Sequence, residues 1–217
     1  MLTKFFRRLK FNRIYKNNSW GSGESYSGNG STLAQTQVLR IELEKFMIEH
    51  QIKSVVDIPC GDFNWMNEVN LNGISYYGFD VSSNLVRMLK KRFTKHNLTF
   101  NLADICEDNL PDADLVLVRD CFVHLSLEDT NKAMRNLLRT NFKYYLITTF
   151  TRDIDNSDIL TGSNWRPMNL SNPPFNFPKP YILINENCTE ADSKFTDKSI
   201  GIWTRSSLLD TINLCNY

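Results

Sequence analysis

Four aspartates each follow a short apolar segment of the chain: Asp57, Asp80, Asp104 and Asp120. In an open parallel sheet, ligands bind outside the carboxyl ends of the strands, so these side chains are expected to meet at one edge. Asp80 follows Asp57 by 23 residues, about the interval to the acid that binds ribose hydroxyls in nucleotide-binding folds. A single aspartate after a strand is commonly a turn former or helix cap. Four in consecutive strands favour a ligand site.

The stretch VVDIPCGDFNWM, residues 55–66, indicates which ligand this is. The chain has neither the G-x-G-x-x-G dinucleotide fingerprint nor a G-x-x-x-x-G-K-[ST] phosphate loop, which disfavours an NAD-dependent enzyme. Gly61 lets the backbone approach a ligand closely. Asp57 stands where a pyrophosphate would need room, and a carboxylate repels phosphate but suits a positively charged ligand. S-adenosylmethionine, with its ammonium and sulfonium groups and no phosphate, meets these requirements.

Longer motifs carry a resemblance to a known family. They are a W-x-S-G-x-G-S-T-like start over residues 20–32, DIPCGDFNWM, Y-x-G-x-D, RDCxVHLS and W-R-P-x-N-L. With them, the chain resembles class I S-adenosylmethionine-dependent methyltransferases, and more narrowly a small bacterial and viral group. The resemblance implies a Rossmann-like, seven-stranded, mostly parallel sheet with helices on both faces and an antiparallel closing strand.

The resemblance also implies roles for cofactor-binding residues. Asp57 and Gly61 would hold the methionine moiety of S-adenosylmethionine, and Asp80 would bind the ribose hydroxyls. Asp104, with the backbone of Ile105, would recognise the adenine. Further glycines that the family often has after the first strand are replaced here by other residues.

Candidate catalytic residues lie in RDCFVHLS, residues 119–126. His124 is the candidate general base for a hydroxyl acceptor, because its ordinary pKa of about 6.5 suits proton removal at neutral pH; a structural role beneath or at the start of the next helix is the alternative. Asp120 would orient His124 or contact the acceptor. Arg119 would face the cofactor's carboxylate or pair with Asp120. We expect no metal.

A proline-rich segment, residues 151–180, is expected on the substrate side. Trp165, Arg166 and Asn169 have the side chains that stack on a sugar and bind its hydroxyls; the alternative is a stiff loop whose aromatic residues seal the sheet edge. Because related-looking domains accompany glycosyltransferases of surface-glycan pathways, we expect O-methylation of a sugar hydroxyl.

Other functions remain open. They are methylation of a small metabolite or of nucleic acid, and a catalytically inactive cofactor-binding regulator. An NPPF element at residues 172–175 is similar to that of adenine amino-methyltransferases, but it follows the fifth strand instead of the fourth. The net charge of +1 also gives no broad basic surface for nucleic acid.

Alternating strands and helices predict a parallel sheet that positions these residues. Ser83 and Ser126 are expected at the starts of helices. We expect a basic N-terminal segment over residues 1–19 and one methyltransferase domain over residues 20–217, with a mobile or ligand-ordered Gly/Ser loop at residues 18–32. Seven strands are predicted, at residues 54–58, 74–80, 98–104, 113–120, 142–150, 181–187 and 198–205.

The N-terminal segment carries six positive charges before the first acid, and Leu2, Phe5, Phe6 and Leu9 fall on one helical face. It is interpreted as a helix packed on the domain, with an organelle presequence or a peripheral contact of residues 1–16 with an anionic membrane as alternatives. The five cysteines show no CxxC or zinc spacing, so we expect free thiols and a cytoplasmic or membrane-peripheral protein.

Overall fold

Seven strands form one sheet in the part of the chain that the computed structural model describes, residues 2–21 and 23–214. Their order is β3-β2-β1-β4-β5-β7-β6. Strands β1 to β5 pair in parallel, and β7 runs antiparallel to both β5 and β6. The predicted fold is therefore confirmed. The strands are β1 (Ser54–Asp57), β2 (Ser75–Asp80), β3 (Leu98–Leu102), β4 (Leu115–Val118), β5 (Tyr144–Phe150), β6 (Ile182–Asn185) and β7 (Lys198–Thr204).

Helices cover both faces of this sheet. Two begin as expected: the Ser82 hydroxyl accepts a hydrogen bond from the Leu85 amide, and the Ser126 hydroxyl accepts one from the Asp129 amide. The helical elements are α1 (Leu2–Lys16), α2 (Gln37–Glu49), α3 (Ser83–Arg92), α4 (Leu127–Leu138), the single turn α5 (Glu190–Ser193) and α6 (Arg205–Leu214).

Side-chain alternation along the strands creates the two halves of the core. Val55 and Leu115 pack with the buried faces of α2 and α3, whereas Val56 and Val116 pack with α4 and α6. Since both faces are covered, β4 is apolar at every position. Packing on both faces holds each strand in place and so fixes the position of its end.

The four aspartates meet at one edge of the sheet. Asp57 and Asp80 are the last residues of β1 and β2, whereas Asp104 and Asp120 lie two residues beyond the ends of β3 and β4. Because these four strands are parallel neighbours, their carboxyl ends form a continuous rim.

The proline-rich segment is fastened to the other half of the sheet. The indole of buried Trp203, on β7, donates to the carbonyl oxygen of Pro178 at 2.7 Å. The Phe150 amide donates to the carbonyl oxygen of Met168 at 2.8 Å. The space for the Trp203 ring is provided by Gly201, because a Cβ there would lie 2.2 Å from the ring atom Cη2.

Gly201→Ala should therefore destabilise the fold. Overpacking against a fixed ring costs about 1–3 kcal/mol, which for a chain of this size lowers Tm by roughly 2–12 °C. The control is Gly23→Ala, where a Cβ would meet nothing within 4 Å. Thermal melts of the two variants compare the sites, and equal Tm values would contradict the packing described here.

Candidate active site

A pocket lies at the rim formed by the carboxyl ends of β1 to β4. It encloses about 930 Å³ of space free of atoms, part of which is open to solvent. The structure brings every predicted cofactor-binding and catalytic residue to its lining: Asp57, Gly61, Asp80, Asp104, Ile105, Arg119, Asp120 and His124.

Asp57 is a buried carboxylate without a salt bridge among the described residues, and Arg119 attracts it only from a longer distance. Its Oδ2 accepts a hydrogen bond from the Tyr76 hydroxyl at 2.6 Å, and its Oδ1 is buried with no hydrogen-bond partner. Burial raises the pKa of Asp57 to about 7. A cationic ligand would satisfy the free oxygen, so Asp57 fits the ammonium group of S-adenosylmethionine.

Asp80 is in a similar state at the end of the neighbouring strand. Burial raises its pKa to about 7, against the opposing effect of main-chain hydrogen bonds. Its Oδ1 accepts from the Ser82 amide at 2.7 Å. Neutral donors thus hold this carboxylate, and hydroxyl groups of a ribose are ligands of the same kind.

The turn after β1 depends on Gly61 and Asp62. Gly61 has a φ of +55°, and a Cβ there would lie 2.3 Å from the Ser27 hydroxyl oxygen. Asp62 accepts hydrogen bonds from the Ser25 hydroxyl and the Tyr26 amide at 3.0 and 2.7 Å. The Gly/Ser loop, whose Ser22 lies outside the described residues, is therefore fastened to this turn. In the sequence, Asp62 stands where the family often has a glycine. Nothing in that replacement predicts the contact of Asp62 with the Gly/Ser loop.

Helix α1 forms a wall of the pocket, which the sequence did not predict. Arg7, Phe11 and Tyr15 line the pocket from this helix. Buried Arg7 donates from Nε to Asp104 at 2.8 Å and from Nη1 to Asp129 at 3.0 Å. Nothing in the sequence separates Arg7 from the five other basic residues of this segment.

Asp104 already has partners on both oxygens. Oδ2 accepts from Arg7, and Oδ1 accepts from the Cys106 amide at 2.9 Å. An adenine would have to share the carboxylate with Arg7, so recognition of adenine by Asp104 and the Ile105 backbone stays a prediction.

A network of ion pairs surrounds Asp120. Arg119 donates from Nη2 to Glu186 at 2.6 Å and to the Gly30 carbonyl oxygen at 2.8 Å, and its Nη1 lies 3.1 Å from Asp120. Lys198 donates to Asp120 at 2.6 Å. Although burial opposes it, the attraction of these two cations lowers the pKa of Asp120 to about 2. Asp120 is consequently an ion-paired carboxylate and a poor proton acceptor.

His124 lies at the mouth of the pocket. Its Nδ1 is 3.1 Å from the carbonyl oxygen of Asn164, which can only accept, so the neutral ring carries its proton on Nδ1 and leaves Nε2 with a lone pair. Trp20 packs against the imidazole at 5.3 Å between centroids. Burial lowers the pKa of His124. Asn164 and Trp20 are the described contacts of this ring. Asp120 attracts it without a described hydrogen bond, so its predicted role, orienting His124 or contacting the acceptor, stays a prediction.

The three predicted substrate residues do not lie together. Trp165 is 41% exposed and lines a second cavity beside the pocket. Arg166 is buried and donates to the carbonyl oxygens of Phe122 and Val123 at 2.9 and 3.0 Å, and buried Asn169 donates to a main-chain carbonyl oxygen of its own segment. Neither lines the pocket or the second cavity. We therefore correct their assignment: Arg166 and Asn169 hold the proline-rich segment in place.

Two further kinds of site can be judged over residues 2–21 and 23–214: a metal site and a membrane span. Within these ranges no group of three or more His, Cys, Asp or Glu side chains is placed to hold a metal ion, and no helix has the length and apolar character to cross a membrane. Cys215 lies outside the described residues. The remaining cysteines are buried free thiols: Cys60, Cys106, Cys121 and Cys188.

Sequence comparisons place a known domain on these elements. Residues 55–141, from β1 past the end of α4, match the protein family described as "Methyltransferase domain". Over 115 residues the chain is 33% identical to phosphoethanolamine N-methyltransferase of Plasmodium falciparum (isolate 3D7). This match covers 51% of the chain and 41% of the relative, so the chain spans less than half the length of that protein.

Solved structures share the fold. The methyltransferase domain of bacterial CtHen1-CN superposes with a TM-score of 0.55 at 13% identity, covering 78% of this chain and 99% of that domain. Human N-acetylserotonin methyltransferase in complex with SAM gives a TM-score of 0.53 at 12% identity, covering 85% of this chain and 59% of that protein.

These comparisons confirm the predicted class I fold, and the family match over residues 55–141 agrees with the predicted enzyme class. They do not reach the narrower bacterial and viral group. The pocket agrees with them, because its unpaired carboxylates suit a ligand with a positive end. Residues 55–141 are therefore similar to a methyltransferase domain, and the whole sheet has the fold of the methyltransferase structures that it superposes on.

Proposed function

We propose that this chain transfers the methyl group of S-adenosylmethionine to a hydroxyl oxygen of a sugar in a surface glycan. One observation carries the choice of oxygen: His124 offers an unprotonated Nε2 at the mouth of the pocket, and it also lines the second cavity. A hydroxyl acceptor needs a general base within hydrogen-bond reach of its proton. A base between the two cavities can reach an acceptor in one while the methyl donor occupies the other.

In this proposal the rim of the sheet holds the cofactor. Asp57 binds the ammonium group, Gly61 allows the close approach of the turn, and Asp80 binds the ribose hydroxyls. Asp104 and the backbone of Ile105 bind the adenine. The support is the position of all five residues on one pocket and the free Oδ1 of Asp57.

Arg119 is proposed to face the carboxylate of the cofactor. Its Nη atoms are engaged by Asp120 and Glu186, but its Nε is buried without a hydrogen-bond partner among the described residues. A carboxylate placed at this Nε would be well accommodated.

The bound cofactor supplies a methyl group already activated by its sulfonium charge. The protein supplies alignment and proton removal. Nε2 of His124 takes the proton of the acceptor hydroxyl while Nδ1–H remains on the Asn164 carbonyl oxygen. Trp20 limits the rotation of the ring.

A small metabolite is the second candidate acceptor. The relative from Plasmodium falciparum is called a phosphoethanolamine N-methyltransferase, which favours an amine as the acceptor. A sugar is supported by the exposed face of Trp165 in the second cavity. An inactive cofactor-binding regulator would bind cofactor without turnover, and a nucleic-acid methyltransferase would label nucleic acid instead of either acceptor.

We also propose a cytoplasmic location with peripheral membrane contact through α1. Phe5, Phe6 and Leu9 are 57%, 60% and 50% exposed, beside the basic side chains of the same helix. Exposed apolar groups among basic ones suit an anionic lipid surface.

Cofactor binding should depend on pH through Asp57. With a pKa of about 7, the ionised fraction rises about tenfold between pH 6 and pH 8, and only the ionised form attracts an ammonium group. The affinity for S-adenosylhomocysteine, measured by calorimetry, should rise by a similar factor. In Asp57→Asn it should be weak and should depend less on pH than in wild type, since Asp80, with a pKa of about 7, still titrates, whereas exposed Asp155→Asn should behave as wild type. A flat wild-type profile would contradict this role.

Methyl transfer should depend on His124. We expect His124→Gln to lower kcat by roughly 10²–10⁴-fold, the usual contribution of a general base, while S-adenosylhomocysteine affinity changes little. Labelled methyl transfer to sugars, small amines and nucleic acid measures the rate and identifies the acceptor class. Exposed His96→Gln is the matched control. Full turnover in His124→Gln would refute the base, and cofactor binding without any labelling would favour the regulator.

Membrane contact can be tested without damaging the pocket wall. The double variant Phe5→Ser/Phe6→Ser alters only exposed side chains, whereas deletion of α1 would remove Arg7 from its buried ion pairs. Co-sedimentation with phosphatidylglycerol vesicles should fall by about tenfold or more, at roughly 1.4 kcal/mol per factor of ten. Ile48→Ser, 77% exposed on α2, is the control. No wild-type binding, or equal binding by the double variant, would exclude this contact.

A further inference from the structure

The second cavity adjoins the cofactor pocket and has an aromatic wall. It encloses about 990 Å³ of space free of atoms, part of it open to solvent, and it shares Trp20 and His124 with the pocket. Phe150, Trp165 and Phe195 line its other side. Trp165 and Phe195 meet edge to face at 4.8 Å between centroids, and Trp165 remains 41% exposed.

Of the two carboxylates that line this cavity, Asp120 is ion-paired and Glu190 has no salt bridge among the described residues. Lys198 pairs with Asp120 at 2.6 Å and lies 3.8 Å from Glu186, and Arg119 pairs with the same two carboxylates. Glu190 also lines the cavity, and among the described residues no cation lies within 4 Å of its carboxylate. Glu190 Oε2 accepts only a weak hydrogen bond from the Cys188 thiol, at 3.7 Å, and Arg119 attracts the carboxylate from a longer distance. Of the cations beside the Phe195 ring, Arg152 is paired with Asp197, and Lys194 does not line the cavity.

The local backbone presents Glu190 to the cavity. The three residues after it, Ala191, Asp192 and Ser193, all have φ between +51° and +62°. Side-chain-bearing residues rarely adopt this left-handed conformation, and such strain tends to occur at ligand sites. On the opposite side, a Cβ at Gly30 would lie 2.8 Å from Glu190 Oε2, so only glycine leaves the carboxylate its present position.

We propose that the second cavity is the acceptor site, and that it admits a neutral or amino sugar while it excludes uronates and sugar phosphates. This rests on the proposed methyl transfer and narrows its substrate class. The apolar face of a sugar ring stacks on Trp165, with a hydroxyl directed at Nε2 of His124. The unpaired carboxylate of Glu190 repels an anionic acceptor and attracts an ammonium group.

The test uses three monosaccharides that differ in charge: methyl glucoside, glucosamine and glucuronate. Saturation-transfer NMR measures the binding of each to the full chain with S-adenosylhomocysteine bound. In wild type we expect transfer to the glucoside and glucosamine, and at least fivefold weaker transfer to glucuronate. Glu190→Gln should raise the glucuronate signal to that of the glucoside. Glu42→Gln, an exposed site on α2 paired with Lys45, should leave the ratio unchanged.

Trp165→Ala should abolish the signals of all three sugars while the affinity for S-adenosylhomocysteine, measured by calorimetry, stays as in wild type. Equal glucuronate and glucoside signals in wild type, sugar signals that survive Trp165→Ala, or no sugar signal from cofactor-bound protein would each overturn the proposal. Failure of wild type to bind S-adenosylhomocysteine would instead refute the proposed function, so the two failures are distinguishable.

Discussion

The burial of two carboxylates without positively charged partners is the constraint on which this site depends. A desolvated carboxylate is costly unless it is paired or protonated. Asp57 and Asp80 have only neutral donors among the described residues, such as the Tyr76 hydroxyl. At neutral pH both carboxyl groups are therefore close to their pKa of about 7. A cationic ligand supplies the positive charge that the fold does not place beside them.

The pairing of the four acids follows the order of the strands. Along the rim β3-β2-β1-β4, the two outer acids are ion-paired and the two inner acids are not. Arg7 of α1 neutralises Asp104 at one end, and Lys198 of β7 neutralises Asp120 at the other. The same pairs bring α1 and the closing strands against the pocket, so the cations that stabilise the outer acids also build its walls. A ligand along this rim thus meets neutralised acids at both ends and, in the middle, acids without salt bridges.

Sequence patterns predicted the parts of the molecule that depend on local periodicity. Alternation and strand-end acids located the sheet and the rim, and Gly61 was identified because a close turn needs glycine. The α1 wall escaped prediction, since an arginine in a basic helix carries no sign of its partner. Arg166 and Asn169 were misassigned because an irregular, proline-rich backbone has no period that tells which way a side chain points. In both cases the position of the side chain is decided by contacts with main-chain atoms or with residues distant in sequence.

The ion pairs of Arg7 also link ligand binding to the completeness of the fold. Arg7 meets Asp104 and Asp129 across separations of 97 and 122 residues. Contacts between residues so far apart in sequence exist only when the elements that carry them are folded against each other. The cofactor pocket is therefore complete only after β1 to β4 and α4 have assembled and α1 has docked on them. Under the proposed function, occupancy of this pocket is a signature of a fully folded chain, and a partly unfolded molecule is left without a methyl donor.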